Sequence, residues 1–384
     1  MHRTLVVTND FPPRQGGIET FVKAMTDRFP PGGVVVHTSA EAGGAVHDAG
    51  LPYPVVRDRT RMLLPTPRVT ARAVALAREY GCDSVWFGAA APLGLMGGRL
   101  RREAGVRRLV ATTHGHEVWW ARTPGARAVF RRIGAGVDVV TYLGASTRAP
   151  IGAALGPDVR MARLVPGVDA GVFRPGLDAG PVRRRYGLGD APVVLCAARL
   201  VARKGQDILI RALPAVRERV PGVRLLLVGS GPYESRLRRL TAEHGVTGAV
   251  VFAGGQAHAE LPSFYAAADV FAMPCRSRKR GLEVEGLGIV YLEAAAAGLP
   301  ALVGDSGGAP DAVRDGETGH VVDGRDAEAV TERLVELLRD RQLARVMGAK
   351  GRNWVREEWS WDRTYDTLLG LLDAGGRSLS SWAG

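Results

Sequence analysis

Short, unbroken apolar runs recur along the chain, at residues 5–7, 34–36, 85–87, 109–111, 139–140, 193–196, 225–228, 250–253, 270–273, 301–303 and 321–322. A strand that is apolar at every position is buried on both faces, as in a parallel sheet. Most runs end in a turn rich in Gly, Pro or polar residues. Longer stretches with apolar residues at helical spacing follow, such as Val22, Met25 and Phe29. This strand–turn–helix rhythm predicts an α/β fold of parallel sheets wrapped by helices. Gly and Pro at both ends of 176–192 read as a linker. Two Rossmann-like domains are therefore expected, residues 1–177 and 178–360, with no internal sequence repeat. The last segment, punctuated by Trp354, Trp359 and Trp361, reads as helical, and residues 375–384 as a loose tail.

A chain of 384 residues accommodates two such domains. Its 46% hydrophobic and 23% charged residues are globular values. No run reaches the about 18 apolar residues of a spanning helix. Met1-His2-Arg3 leads straight into the first strand, which does not read as a signal peptide. Cys82, Cys196 and Cys275 are far apart, which argues for a reducing cytoplasm and against disulfides or structural zinc.

The net charge of +12 is unevenly spread. Residues 1–177 hold 23 Lys/Arg against 13 Asp/Glu, a balance of +10; the remainder holds 28 against 26, a balance of +2. A basic first half calls for an acidic partner, nucleic acid or an anionic lipid surface. Within it, Arg57, Arg59, Arg61, Arg68 and Arg72 surround Met62-Leu63-Leu64. That arrangement suits a phosphoinositide headgroup or an anionic membrane; a solvated loop is the alternative.

The most informative stretch runs from Glu285 through Gly286, Leu287, Gly288 and Ile289 to Glu293. Its glycines place a helix start just behind Glu285, and the Ala-rich run that follows closes at Gly298-Leu299-Pro300. Open backbone N–H groups at Gly288 and Ile289 would form an anion site, above all for phosphate. Glu293, about a turn inside, is placed to accept from a ribose diol. Glu285 is expected to stay free in its loop to bond a sugar hydroxyl. An ordinary buried helix preceded by Glu is the alternative. Arg199 and Lys204 share a strand-to-helix loop, and a guanidinium fork beside an ammonium suits a diphosphate; a surface charge pair is the alternative. Gly16 and Gly17 lie between the first strand and its helix, a layout that lets backbone approach phosphate, although Gly-x-Gly-x-x-Gly is absent. His114 ends a parallel strand, where side chains face the crevice of an α/β sheet.

Together these motifs resemble the retaining GT-B glycosyltransferases of family GT4. The likeness rests on Glu-x7-Glu from Glu285 followed by Ala-x-x-x-Gly-x-Pro, and on Arg-Leu-x-x-x-Lys-Gly from Arg199. Pro-Pro-x-x-Gly-Gly-Ile from Pro12, His-Gly-x-Glu from His114, and Pro-Gly-Val-Asp from Pro166 followed by Phe173-Arg174-Pro175 add to it. The chain is most similar to the PimB-type phosphatidylinositol mannosyltransferases of actinobacteria, with Leu287 where many GT4 proteins have Phe. The resemblance implies two Rossmann-like domains facing across a cleft, with a helix from Trp361 returning to the first. It implies GDP-mannose as donor, a phosphatidylinositol monomannoside as acceptor, an α-1,6 linkage, and peripheral association with the anionic cytoplasmic membrane face. His114, Glu285, Arg199 and Lys204 are then the catalytic candidates. Gly16, Gly17, Gln256, Gly288, Ile289 and Glu293 join Arg199, Lys204 and Glu285 as donor contacts. No cofactor is implied. The chain has no Asp-x-Asp triplet, so a metal-independent reaction is expected, with stimulation by Mg²⁺ left open. A UDP-sugar-dependent GT4 enzyme acting on an inositol phosphate is the alternative. A basic nucleic-acid-binding protein would explain the charge but not the joint presence of Glu285, Glu293, Arg199 and Lys204, so no nucleic-acid partner is expected.

Overall fold

The computed structural model describes residues 2–14, 16–115 and 117–373; His116 and the expected tail at 375–384 lie outside the described residues. The chain divides into two compact units, residues 1–167 with the segment from Trp361 onward, and residues 168–360.

The first unit holds seven parallel strands: β1 (Thr4–Thr8), β2 (Val34–Thr38), β3 (Val55–Arg57), β4 (Ser84–Phe87), β5 (Arg108–Ala111), β6 (Val139–Tyr142) and β7 (Arg160–Arg163). Their spatial order is 3-2-1-4-5-6-7, so the order reverses between β1 and β4. Alternate residues feed two cores, as strand geometry requires. Leu5, Val7 and Phe87 face one side with Phe130 and Ile133. Val6, Trp86 and Val110 face the other with Phe21, Met25, Leu368 and Leu371. The last two belong to the final helix, Trp361–Leu372, which is further tied by Arg108 Nε donating to the Leu371 carbonyl at 2.7 Å. β3 and β7, the edge strands of this sheet, are absent from the apolar pattern because none of their residues is fully buried. Arg160-Met161-Ala162-Arg163 is only partly covered and carries no apolar run.

The second unit holds six parallel strands: β8 (Val193–Ala197), β9 (Arg224–Val228), β10 (Val250–Gly254), β11 (Val270–Met273), β12 (Ala301–Gly304) and β13 (Gly319–Val322). Their order is 10-9-8-11-12-13, with the reversal between β8 and β11. The division between units falls at 167/168 rather than 177/178. Phe173, 2% exposed, packs edge-on against Tyr265 at 5.4 Å, and Val168 N–H donates to the Trp359 carbonyl at 2.8 Å. The expected linker 176–192 contains a helix, Gly180–Arg185, whose Arg183 donates to the Ala267 carbonyl at 2.8 Å. All three cysteines are free and buried.

The helix Ile289–Ala296 is fastened to the sheet by Tyr291, which is fully buried. Its hydroxyl donates to the Met273 carbonyl at the end of β11, at 2.6 Å. Cys275 N–H also donates to that carbonyl, at 2.7 Å, so Tyr291→Phe removes one of two bonds. It is expected to cost about 1 kcal/mol, read as a lower urea midpoint with an unchanged m-value.

Candidate functional site

In a doubly wound sheet the loops leaving the carboxyl ends of the strands diverge where the strand order reverses. In the second unit those loops follow β8 and β11. They are stitched together by Arg276 N–H, which donates to the Arg203 carbonyl at 2.9 Å, and by the Arg203 guanidinium, which donates to the Val284 carbonyl at 3.4 Å. Glu285 sits at their meeting point, 7% exposed. Its Oε2 accepts from Arg203 Nη1 and from Lys204 Nζ, both at 2.8 Å. Burial alone would push the carboxyl up, but Lys204 and Arg203 outweigh it and hold the group below its ordinary 4.5. The backbone is pinned as well. Glu285 N–H donates to Ser306 Oγ at 3.1 Å, and Gly308 N–H donates to the Glu285 carbonyl at 3.0 Å. A side chain at Gly307 would strike the Glu285 carbonyl, and one at Gly308 the Gly286 carbonyl, so only glycine lets the two loops lie together.

Two expectations change here. Glu285 is not free in its loop: it is the buried anion between two cations, although no described residue donates to its Oε1. Arg199, expected to act beside Lys204, is exposed, and its side chain has no partner among the described residues. Leu200 turns into the core at 1% exposure, so its neighbour in an extended segment faces outward. Arg203 takes the second cationic place. Spacing could not choose it, because Arg199, Arg203 and Lys204 share one loop and differ only in how the short turn Ala202–Lys204 rotates them.

Gly288 caps the helix Ile289–Ala296 with a left-handed φ of 84°. The N–H groups of Ile289 and Val290 therefore have no acceptor within the helix. Glu293 follows Ile289 by four positions and lies on the same helix face. It is 2% exposed, and its two oxygens have separate partners: the Tyr265 hydroxyl donates to Oε2 at 2.7 Å, and His258 Nε2 to Oε1 at 3.2 Å. Neither partner was visible in the sequence, since both come from a segment about thirty residues upstream with no motif of its own. Gln256, after β10, is half-buried and donates to the Ala253 carbonyl at 2.7 Å.

The remaining candidates lie in the first unit, on the loops after β1 and β5. His114 follows β5, and its Nε2 donates to the Gly88 carbonyl after β4 at 2.6 Å. Its backbone N–H donates to Glu117 Oε2 at 2.8 Å, and its ring meets Phe21 edge-on at 5.3 Å. Gly16 and Gly17 are exposed at the start of the helix Gly17–Thr26. A side chain on Gly16 would strike the carboxylate of Glu19, whose pKa is pushed up by burial. Among the described residues, no group of three His, Cys, Asp or Glu is placed to hold a metal ion.

Glu285→Gln would leave Arg203 and Lys204 without their shared anion and is expected to cost about 3 kcal/mol. Because the folded carboxyl titrates low, its stabilisation is complete above the ordinary 4.5 and is lost as the pH falls through the lower folded value. Urea unfolding across the acid range should therefore show a shallower loss of stability in the variant than in the wild type.

The chain matches the family model of glycosyl transferases group 1 over residues 182–354. It is 50% identical over 378 residues to the GDP-mannose-dependent alpha-(1-6)-phosphatidylinositol monomannoside mannosyltransferase of Mycolicibacterium smegmatis, covering 97% of this chain and 98% of that one. It is 45% identical over 378 residues, with the same coverage, to the GDP-mannose-dependent monoacylated alpha-(1-6)-phosphatidylinositol monomannoside mannosyltransferase of Corynebacterium glutamicum. Among solved structures, Anabaena HepE in complex with UDP is similar with a TM-score of 0.82 at 20% identity, covering 97% of this chain and 99% of that one, a likeness of fold.

Proposed function

The chain belongs to the group 1 glycosyl transferases, and we propose that it moves mannose from GDP-mannose to a phosphatidylinositol monomannoside, forming an α-1,6 linkage with retention of configuration. One observation carries this reading: 50% identity over 97% of the chain to an enzyme of that name. The geometry of the second unit accounts for donor activation. Departure of the nucleoside diphosphate builds negative charge, which prearranged cations and backbone amides stabilise without reorganising. Lys204, Arg203 and the amides of Gly288 and Ile289 supply that field. Arg199 has no side-chain partner among the described residues to give up when it turns onto the diphosphate. Glu285 holds two of these cations in place, the three charges summing to +1, and its Oε1 is available to orient a mannose hydroxyl. Glu293 accepts from the ribose diol, and Gln256 lies beside the base. His114, oriented by the Gly88 carbonyl, is assigned to the sugar, and Gly16 and Gly17 to the diphosphate.

In this reading the acceptor attacks from the face that the phosphate leaves, with a phosphate oxygen taking the acceptor proton. Glu285 and Glu293 are therefore not the acid and base of a hydrolase. The field of cations and amides replaces a metal ion. On the acceptor side, Met62 and Leu64 are 61% and 49% exposed beside exposed Arg59 and Arg61. Apolar tips flanked by arginines suit an anionic leaflet. No helix among the described residues is long and apolar enough to cross a membrane. Peripheral attachment at the cytoplasmic face completes the proposal.

A donor panel read by mass spectrometry should add one hexose to phosphatidylinositol monomannoside from GDP-mannose, at full rate in EDTA. Tighter binding of UDP than of GDP would overturn the donor, and dependence on a divalent ion would overturn the metal-free mechanism. Flotation with anionic vesicles should recover the wild type, and less of a variant carrying Met62→Ser and Leu64→Ser. Equal recovery would remove this loop from the membrane contact.

A further inference from the structure

Glu293 takes one hydrogen bond on each carboxylate oxygen, from Tyr265 and from His258. An ionised carboxylate offers about four acceptor positions, so about two remain for the two hydroxyls of a ribose. The two protein donors are unlike. Tyr265 is fully buried, and burial followed by the Glu293 charge holds its phenol far above the usual value, so it is a fixed neutral donor. The His258 side chain is 58% exposed. Phe173 meets the His258 ring edge-on at 5.6 Å and Tyr265 at 5.4 Å, so one aromatic wall sets both donors against the carboxylate.

We propose that His258 is a positioning residue for the donor: it aims the Glu293 carboxylate at the ribose and sets a titratable positive charge beside it, so that nucleoside diphosphate binding is proton-linked. This rests on the donor-site reading above. The groups facing His258 are few. Glu293 comes from the helix Ile289–Ala296, Tyr265 from the helix Leu261–Ala266, and uncharged Phe173 from the start of the unit. On its own turn, the Glu260 carboxylate is engaged by Ala257 N–H at 3.2 Å. The hydrogen bond to Glu293 raises the imidazole pKa above 6.5, against the opposing effect of burial. While His258 is protonated, its charge cancels that of Glu293. Once the proton leaves, the buried carboxylate faces an anionic ligand uncompensated. Binding therefore weakens as pH rises through the raised His258 pKa.

The experiment is calorimetric titration with GDP across neutral pH for wild type, His258→Gln and Glu293→Ala. The Gln amide keeps a donor for Oε1 but does not titrate, and the titration of the nucleotide is common to all proteins and cancels in the comparison. The expected result is wild-type binding about two- to fivefold tighter than His258→Gln on the acid side, the gap closing as pH rises. Glu293→Ala should be weak throughout. Parallel profiles for wild type and His258→Gln, with Glu293→Ala still weak, would overturn the role of His258 alone. Undiminished binding by Glu293→Ala would overturn the donor-site reading and this proposal with it.

Discussion

A carboxylate withdrawn from water takes up a proton or unfolds its surroundings unless opposite charge meets it. Glu285 is such a group, and Lys204 and Arg203 meet it from a different loop. The cations belong to the turn after β8 and the anion to the loop after β11, so the pairing joins the Arg276 backbone bond in fixing where the two segments lie. The reversal of strand order between β8 and β11 makes the meeting possible, because only there do adjacent strands send their loops apart and leave room. The Ser306 and Gly308 contacts, and the helix that starts at Gly288, are arranged around this anchored residue.

The same arrangement explains how a field of positive charge persists in a folded protein without collapsing onto solvent or other acids. Glu285 restrains the cations but cannot neutralise both, so one net positive charge remains in the loop cluster. The open amides at the start of the helix Ile289–Ala296 carry partial positive charge of the same sign. Glu293 is handled differently. Among the described residues no lysine or arginine pairs with it; a phenol and an imidazole hold it instead. One buried acid is thus held by two cations, and the other by two hydrogen-bond donors.

The first unit repeats the sheet plan with different chemistry. His114, which follows β5, is locked by the Gly88 carbonyl after β4 and by the Phe21 edge. Most of the basic excess lies instead on exposed arginines of this unit, among them Arg59, Arg61 and Arg102. The final helix completes one of its cores through Leu368 and Leu371, so the end of the chain belongs to the unit that the start of the chain builds.

The sequence by itself determined the strands buried on both faces, because a parallel sheet covered by helices demands apolar residues at every position, as at 5–7 and 225–228, each closed by a turn. It also singled out Glu285, Glu293, Lys204 and the glycine pair as candidates, because they stand in short local patterns of Gly, Pro and charge. It missed β3 and β7, since neither is buried enough to demand an apolar run, and it set the division between units ten residues late, since Phe173 is held by Tyr265 and His258 rather than by its neighbours in sequence. Only the tertiary structure decided which of Arg199, Arg203 and Lys204 turn inward, and that Glu285 is buried. It also supplied Tyr265 and His258 as the partners of Glu293. Each of these is a pairing between distant segments, fixed by the desolvation of a charge, and a linear pattern carries no record of which opposite charge will be nearest once water has gone.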